Sequence, residues 1–359
     1  MGTLLKAVRG NRVLWLLPAV PAPLIAEATA PSAHTLTFLL AILAIVPLAA
    51  LLSLATEQVA ARTGDAIGGL LNATLGNLTE LLIALAALRA GEYLLVKATI
   101  AGAIVANALF MTGMCFLLGG LRHHVQDFNS ASTRLQVGLL FLAAFGMMAP
   151  SALAGMDQQT LPPALSPAIA VILLATYGFS LVFTLGTHRA YFSAAAHEAE
   201  EGGAWPLGPA IGVLLGATVA VALVSEVFVA SLTGASAELG LSPAFVGFVV
   251  VAIVGAAAEM TAAFSAARKN RLDLSLGISF GSAAQIALFV APVLVLLSHV
   301  LGPSPMSLQF WPGAVVMILV ATLTAALTTA GGHAAWFLGL LMLMIYAIFA
   351  VTLYVMPPV

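Results

Sequence analysis

The chain has 359 residues, 62% of them apolar and 7% charged, with a mean hydropathy of +1.10, whereas soluble domains carry about 25% charged residues. This composition excludes a soluble fold. Twelve Lys and Arg against fourteen Asp and Glu give a net charge of −2, with no basic run to attract nucleic acid or a strongly anionic surface. Apolar stretches close to the roughly 20 residues that cross a bilayer recur from Val13 to Met356 with short polar breaks between them. They predict an all-α polytopic membrane protein whose partners are membrane lipid and small solutes.

At the N-terminus, Lys6, Arg9 and Arg12 precede an apolar run and Glu27-Ala28-Thr29-Ala30, a pattern shared with secretory signals. A short proline-containing first helix is preferred because it makes the charge count across the membrane come out evenly. Eleven spans then follow in order, at about 12–29, 35–58, 66–89, 94–119, 134–155, 164–187, 206–231, 242–267, 272–299, 308–330 and 334–356. With the N-terminus in the cytoplasm, that side holds Lys6, Arg9, Arg12, Arg62, Arg122, Arg134, Arg189, Arg268, Lys269 and Arg271, and the other side only Arg89 and Lys97. The positive-inside rule selects this orientation, and an odd number of spans puts the C-terminus outside. The lone Cys115 has no intrachain disulfide partner and carries no redox information.

The longest polar break, from His197 through Glu198, Glu200 and Glu201 to Gly203, divides the chain. The expected organisation is an N-terminal helix (1–34), a first five-helix unit (35–196), an acidic cytoplasmic linker (197–205) and a second five-helix unit (206–359). Units with an odd number of spans enter the membrane from opposite sides, so a repeat between them is an inverted one. The sequence repeats: Gly76-Asn77-Leu78-Thr79-Glu80 is followed by Gly102-Ala103-Ile104-Val105-Ala106-Asn107, and Gly255-Ala256-Ala257-Ala258-Glu259 by Gly281-Ser282-Ala283-Ala284-Gln285. Glycine to glutamate is four residues in both halves, and first glycine to second glycine is 26 in both. Upstream, Ala55-Thr56-Glu57 parallels Val224-Ser225-Glu226.

Residues four apart share a helix face, so Gly76 lies on the face of Glu80 and Gly255 on that of Glu259. Inverted helices that cross near the midplane bring Glu80 and Glu259 toward each other. An acid inside a membrane costs roughly 2.5 to 3.5 kcal/mol on insertion scales and marks a functional site by default. Two of them together need protons or a cation between them. Glu80, Glu259, Asn77, Asn107, Gln285 and Ser282 offer the oxygen-rich set that suits a hard cation such as Ca2+. A pair holding one divalent cation or two protons is neutral and the empty dianion is costly to move, which favours obligatory exchange. Polar residues also act as plain glue between membrane helices, but glue does not require acids in matched positions. Glu57 and Glu226 sit nearer span ends and suit access paths. The histidines fall in loops or at span ends. His-Glu-x-x-His and phosphate-loop motifs are missing from the sequence, leaving a metalloprotease or ATP-driven pump without support.

Gly68 through Glu80 with the helix after it, and Val254 to Pro292, resemble the two signature repeats of the Ca2+/H+ antiporters, a branch of the cation/Ca2+ exchanger superfamily. The resemblance runs from about residue 35 to the C-terminus. It implies one peripheral helix plus two inverted five-helix repeats, no cofactor, and export of cytosolic Ca2+ in exchange for protons by alternating access in the cell membrane. It also implies Glu80 and Glu259 as central ligands, backed by backbone carbonyls near Gly76 and Gly255, with Glu57 and Glu226 near the access paths. Ala256 and Met260 stand where typical members have asparagine and histidine, Leu78 where they have alanine, and Ala103 and Ala106 where they have serines. A site poorer in oxygens leaves Na+/H+ or broad cation exchange open. A non-transporting scaffold of the same fold is a further alternative, and assembly into homo-oligomers is left undecided.

Overall fold

A computed structural model describes residues 11–157, 162–188 and 205–358. The acidic segment expected as a linker lies outside the described residues except for Trp205. In chain order, a 3-10 helix (Arg12–Ala19) leads into α1 (Pro21–Thr29), α2 (His34–Thr63), α3 (Asp65–Leu75), α4 (Leu78–Arg89) and α5 (Tyr93–His123). Then come β1 (Val125–Asp127), α6 (Ser130–Asp157) and α7 (Leu165–Thr187). The second half holds α8 (Leu207–Leu239), α9 (Pro243–Gly255), α10 (Ala257–Arg268), α11 (Leu272–Leu301), α12 (Pro312–Thr329), β2 (His333–Ala335) and α13 (Trp336–Val355).

Among the described residues, eight helices have the length and composition to cross a membrane, and the bent pairs α3/α4 and α9/α10 make ten. With that many spans, the protein is a multi-pass integral membrane protein. The expected span at 12–29 is instead the 3-10 helix joined to the nine-residue α1. Pro18, Pro21 and Pro23 remove backbone donors across that joint, which breaks a continuous α-helix. A second departure from a purely helical chain is the antiparallel ribbon of β1 and β2, which pairs Val125 with Ala335 and Asp127 with His333.

The broken pairs cross the centre of the molecule. The bend is 41° between α3 and α4, at Gly76-Asn77, and 59° between α9 and α10, at Ala256. α5 and α11 flank these breaks, and each contains a wide π-helical turn, at Ala106–Met111 and Ile286–Val290. The first turn begins within the second glycine motif of its half, at Ala106, and the second just after its motif, at Ile286. Wide turns of this kind occur often at functional sites. α5 packs on α9 through glycine: a Cβ on Gly102 would overlap the backbone of Phe248, and one on Gly247 would fall 2.8 Å from Ala98. The long helices α2 and α8 pack along one another beside this centre, α6 lies against α12, and α5 against α13.

The connection between α11 and α12 is an extended strap whose alternate residues Met306, Leu308 and Phe310 are buried. Their N–H groups donate to Ser298 Oγ (2.8 Å), Ser166 Oγ (3.0 Å) and Ser151 Oγ (2.9 Å), on three different helices. Buried backbone donors need such partners outside regular structure.

Candidate cation site

Where a helix stops inside a membrane, its backbone groups lose their regular partners, and only protein contacts or an aqueous cavity can replace them. Both broken pairs restart one residue after the break, and both restarted helices carry a glutamate in the first turn, Glu80 in α4 and Glu259 in α10. A carboxylate at a helix N-terminus is favoured by the helix dipole. Both acids therefore stand where backbone donors converge.

Glu80 is 3% exposed. The backbone of Gly255 runs directly against it, and a Cβ there would come 3.1 Å from Glu80 Cγ and 3.3 Å from its Oε1. The acid of the first half thus fits the glycine of the second, and Glu80 and Glu259 are near enough for their charges to interact. Asn107 Nδ2 donates to Ser282 Oγ at 2.9 Å, and Ser282 Oγ donates to Asn77 Oδ1 at 2.8 Å. Gln285 stands slightly apart, its amide donating to the Ala73 carbonyl, which also accepts the Tyr177 hydroxyl at 2.5 Å.

Glu80 Oε1, Glu259 Oε2 and Asn107 Oδ1 are buried and have no hydrogen-bond partner among the described residues, as is Asn77 Nδ2. Leaving buried polar atoms unpaired is expensive. One oxygen of each carboxylate and one amide oxygen thus keep unused acceptor capacity.

A cavity of about 1310 Å³ leads to this point. Glu259, Ser282 and Gln285 line it, as do Glu57, Asp273, Trp205 and Arg12. Asp273 was not singled out in the sequence; the backbone N–H of Asn129 donates to its Oδ1 at 2.5 Å. Its position in the first turn of α11 reads as ordinary helix-start chemistry, so only its three-dimensional placement on the vestibule wall reveals it. Toward the ends of α4 and α5 away from this cavity, contacts close the molecule. Arg89 Nη1 meets Glu226 Oε1 at 2.9 Å, Lys97 Nζ donates to the Gln309 carbonyl at 2.7 Å, and the Tyr93 hydroxyl accepts the Ser304 N–H at 2.8 Å. Of the two expected access acids, then, Glu57 lines the open side and Glu226 is held in an ion pair.

The family of the sodium/calcium exchanger protein matches residues 33–186 and 209–355, one stretch in each half of the chain. The chain belongs to that family. Among its curated relatives, the exchanger is 39% identical to the Ca(2+)/H(+) antiporter of Aphanothece halophytica over 340 residues, 90% of this chain and 91% of that protein. It is 40% identical to the Ca(2+)/H(+) antiporter of Synechocystis over 344 residues, covering 90% and 92% of the two. Among solved structures, native YfkE superposes with a TM-score of 0.83 at 32% identity, covering 96% of this exchanger and 100% of YfkE.

Proposed function

We propose that this exchanger moves Ca2+ out of the cytosol in return for protons, with Glu80 and Glu259 holding the cation or protons in turn. The observation that carries the proposal is the trio of buried oxygens, Glu80 Oε1, Glu259 Oε2 and Asn107 Oδ1, left without hydrogen-bond partners among the described residues, with Glu259 also lining the cavity. Asn77, Ser282 and the backbone beside Gly76 and Gly255 complete the surroundings. The names of the relatives favour Ca2+ over Na+ as the cargo, and transport rather than catalysis as the activity.

Occupation by one divalent cation or by two protons neutralises the acid pair, whereas the empty dianion meets the cost of charge in the membrane. Only the neutral forms then cross between the two faces, which couples one flux to the other by alternating access. The two halves act as inverted five-helix units, 35–196 and 206–359, joined by the acidic segment at 197–205 on the cytoplasmic side. The excess of Lys and Arg supports an orientation with the N-terminus, Arg12, Arg268 and the cavity mouth in the cytoplasm, and we take the membrane to be the cell's inner one. In this arrangement the cavity is the cytoplasmic entrance and Glu57 stands along it.

Proteoliposomes with an acidic lumen, challenged in turn with Ca2+, Na+, K+ and Mg2+, test the proposal. Ca2+ is expected to release luminal protons. A response to Na+ with none to Ca2+ overturns the choice of cargo, and silence to every cation in a folded, reconstituted protein returns the scaffold reading.

A further inference from the structure

The internal repeat sets Asn77 opposite Ala256 and Ser282 opposite Ala103, because each follows the matched glycine of its motif. Asn77 and Ser282 come from different halves and bond to each other. Their counterparts are both alanine, and Ala103 and Ala256 are both buried, at 1% and 0% exposure. Two-fold related positions have thus lost both members of one polar pair and kept both members of the other.

We propose that the cation site is one-sided: its neutral side-chain oxygens come from the Asn77–Ser282–Asn107 side alone, and positions 103 and 256 act as one unit that sets how many ligands the cation finds. This rests on the exchange reading above. Physical chemistry explains why the two alanines belong together. Asparagine is a favoured N-cap residue, but Asn77 does not cap α4. Its backbone, at φ −103° and ψ 32°, lies outside the extended region that side-chain capping uses, and Ala256 at −82° and 7° shares that departure. An asparagine at either break must therefore find its partner in a neighbouring helix. At position 77 that partner is Ser282. By the repeat, the position matched to partner an asparagine at 256 is 103, where alanine offers no hydrogen-bonding side-chain atom, whereas a serine at 103 alone can bond the carbonyl one turn back in α5. Ca2+ takes six to eight oxygens. With Glu80, Glu259 and one polar side supplied by the protein, water entering from the cavity beside Glu259 fills the remainder on the alanine side.

The experiment measures, in detergent and in proteoliposomes, thermal unfolding and the Ca2+ concentration that half-saturates proton release. The first arm removes atoms: N77A and S282A each strand a polar partner, and N77A/S282A makes the polar side resemble the alanine side. The singles are expected to unfold at lower temperature. The double is expected to recover part of that loss while needing about tenfold more Ca2+, as one lost good ligand contact implies. The second arm adds them: A256N alone is expected to destabilise, and A103S/A256N to recover and to need about fivefold less Ca2+. Additive changes in melting temperature, or an N77A/S282A protein whose Ca2+ dependence stays within about twofold of the parent, overturn the one-sided site. If the enlarged pair does not fold because it overfills the interior, the first arm decides alone. A parent protein that exchanges no cation rejects the exchange reading instead, and the thermal double-mutant cycle still reports on the pairing.

Discussion

The two breaks at the centre of this exchanger occupy matched places in a repeated sequence and are held in different ways. Around Gly76-Asn77, polar groups meet the chain: Ser282 of the other half holds Asn77, while Gln285 of the other half and Tyr177 of the same half together hold the Ala73 carbonyl. At Gly255-Ala256 the Gly255 backbone packs against the Glu80 side chain, and the bend is sharper, 59° against 41°. Glu80 is enclosed, while Glu259 lines the cavity. A two-fold repeat can therefore keep its acid pair symmetrical while the support beneath each acid diverges. The stapled half has a fixed geometry, and the open half meets water.

The largest expected effect comes from removing either charge. Glu80→Gln and Glu259→Gln preserve volume, so the protein should fold and run as a single species in detergent, yet proton release on Ca2+ addition should fall to the leak of protein-free liposomes. Full exchange in either variant would separate the acid pair from transport. The next effect distinguishes the two glycines. In Gly255→Ala the new Cβ lands 3.1 to 3.3 Å from the Glu80 side chain. Overpacking costs about 1 to 3 kcal/mol, and here that cost should fall on the acid and appear as about a five- to 150-fold loss in Ca2+ affinity. In Gly76→Ala the Cβ lands 2.6 Å from the Asn72 carbonyl, where backbone must move, so the main reading should be a lower melting temperature. Equal profiles for the two variants would mean that the breaks are interchangeable.

Much of this arrangement is legible in the sequence, for a physical reason. A membrane forces long apolar runs, and a glycine followed by an acid inside one of them has few structural explanations, so the spans and the acids Glu80 and Glu259 stand out, whereas the breaks inside the runs at 66–89 and 242–267 do not. The features that escape are those set by distant partners. Asn77 reads as an oxygen donor inside a continuous span, and only the fold shows the helix breaking there and the side chain bonded to Ser282. Asp273 reads as a helix-start acid until Asn129 and the cavity surround it. Ser151, Ser166 and Ser298 look alike in any apolar helix; their common role on the strap links positions as far as 159 residues apart, and no local periodicity records that. At 12–29 the mean hydropathy suggested a span, but three prolines in six residues from Pro18 to Pro23 broke the α-helix.

The strap offers a middle-sized effect on the closed side. Ser166→Ala leaves the buried Leu308 N–H unpaired, which costs about 1 to 3 kcal/mol. Thermal unfolding in detergent should detect that loss, whereas the exposed Thr352→Ala, whose hydroxyl bonds only one turn back within α13, should leave stability within about 0.5 kcal/mol of the parent. A strap variant as stable as the parent would show that water replaces the serine, and the strap would then be loosely seated.

The smallest expected effect concerns the outer acids, where the contrast between the halves depends on which side is open. Glu226 is paired with Arg89, and their side chains are 56% and 61% exposed. An exposed ion pair contributes about 0 to 1 kcal/mol and is weakened by salt. Arg89→Gln should therefore lower the melting temperature only slightly, with the difference vanishing in high salt. Glu57, on the cavity wall, faces the path by which a cation enters. Glu57→Gln should raise the Ca2+ needed from the cytoplasmic side by a few-fold at low ionic strength and by little at high, as expected for steering by a wall charge. Glu226→Gln should show the same salt-dependent change only when Ca2+ is supplied from the opposite side, where loading requires the Arg89 pair to open. If both variants respond identically from both sides, the difference between Glu57 and Glu226 has no part in the transport cycle.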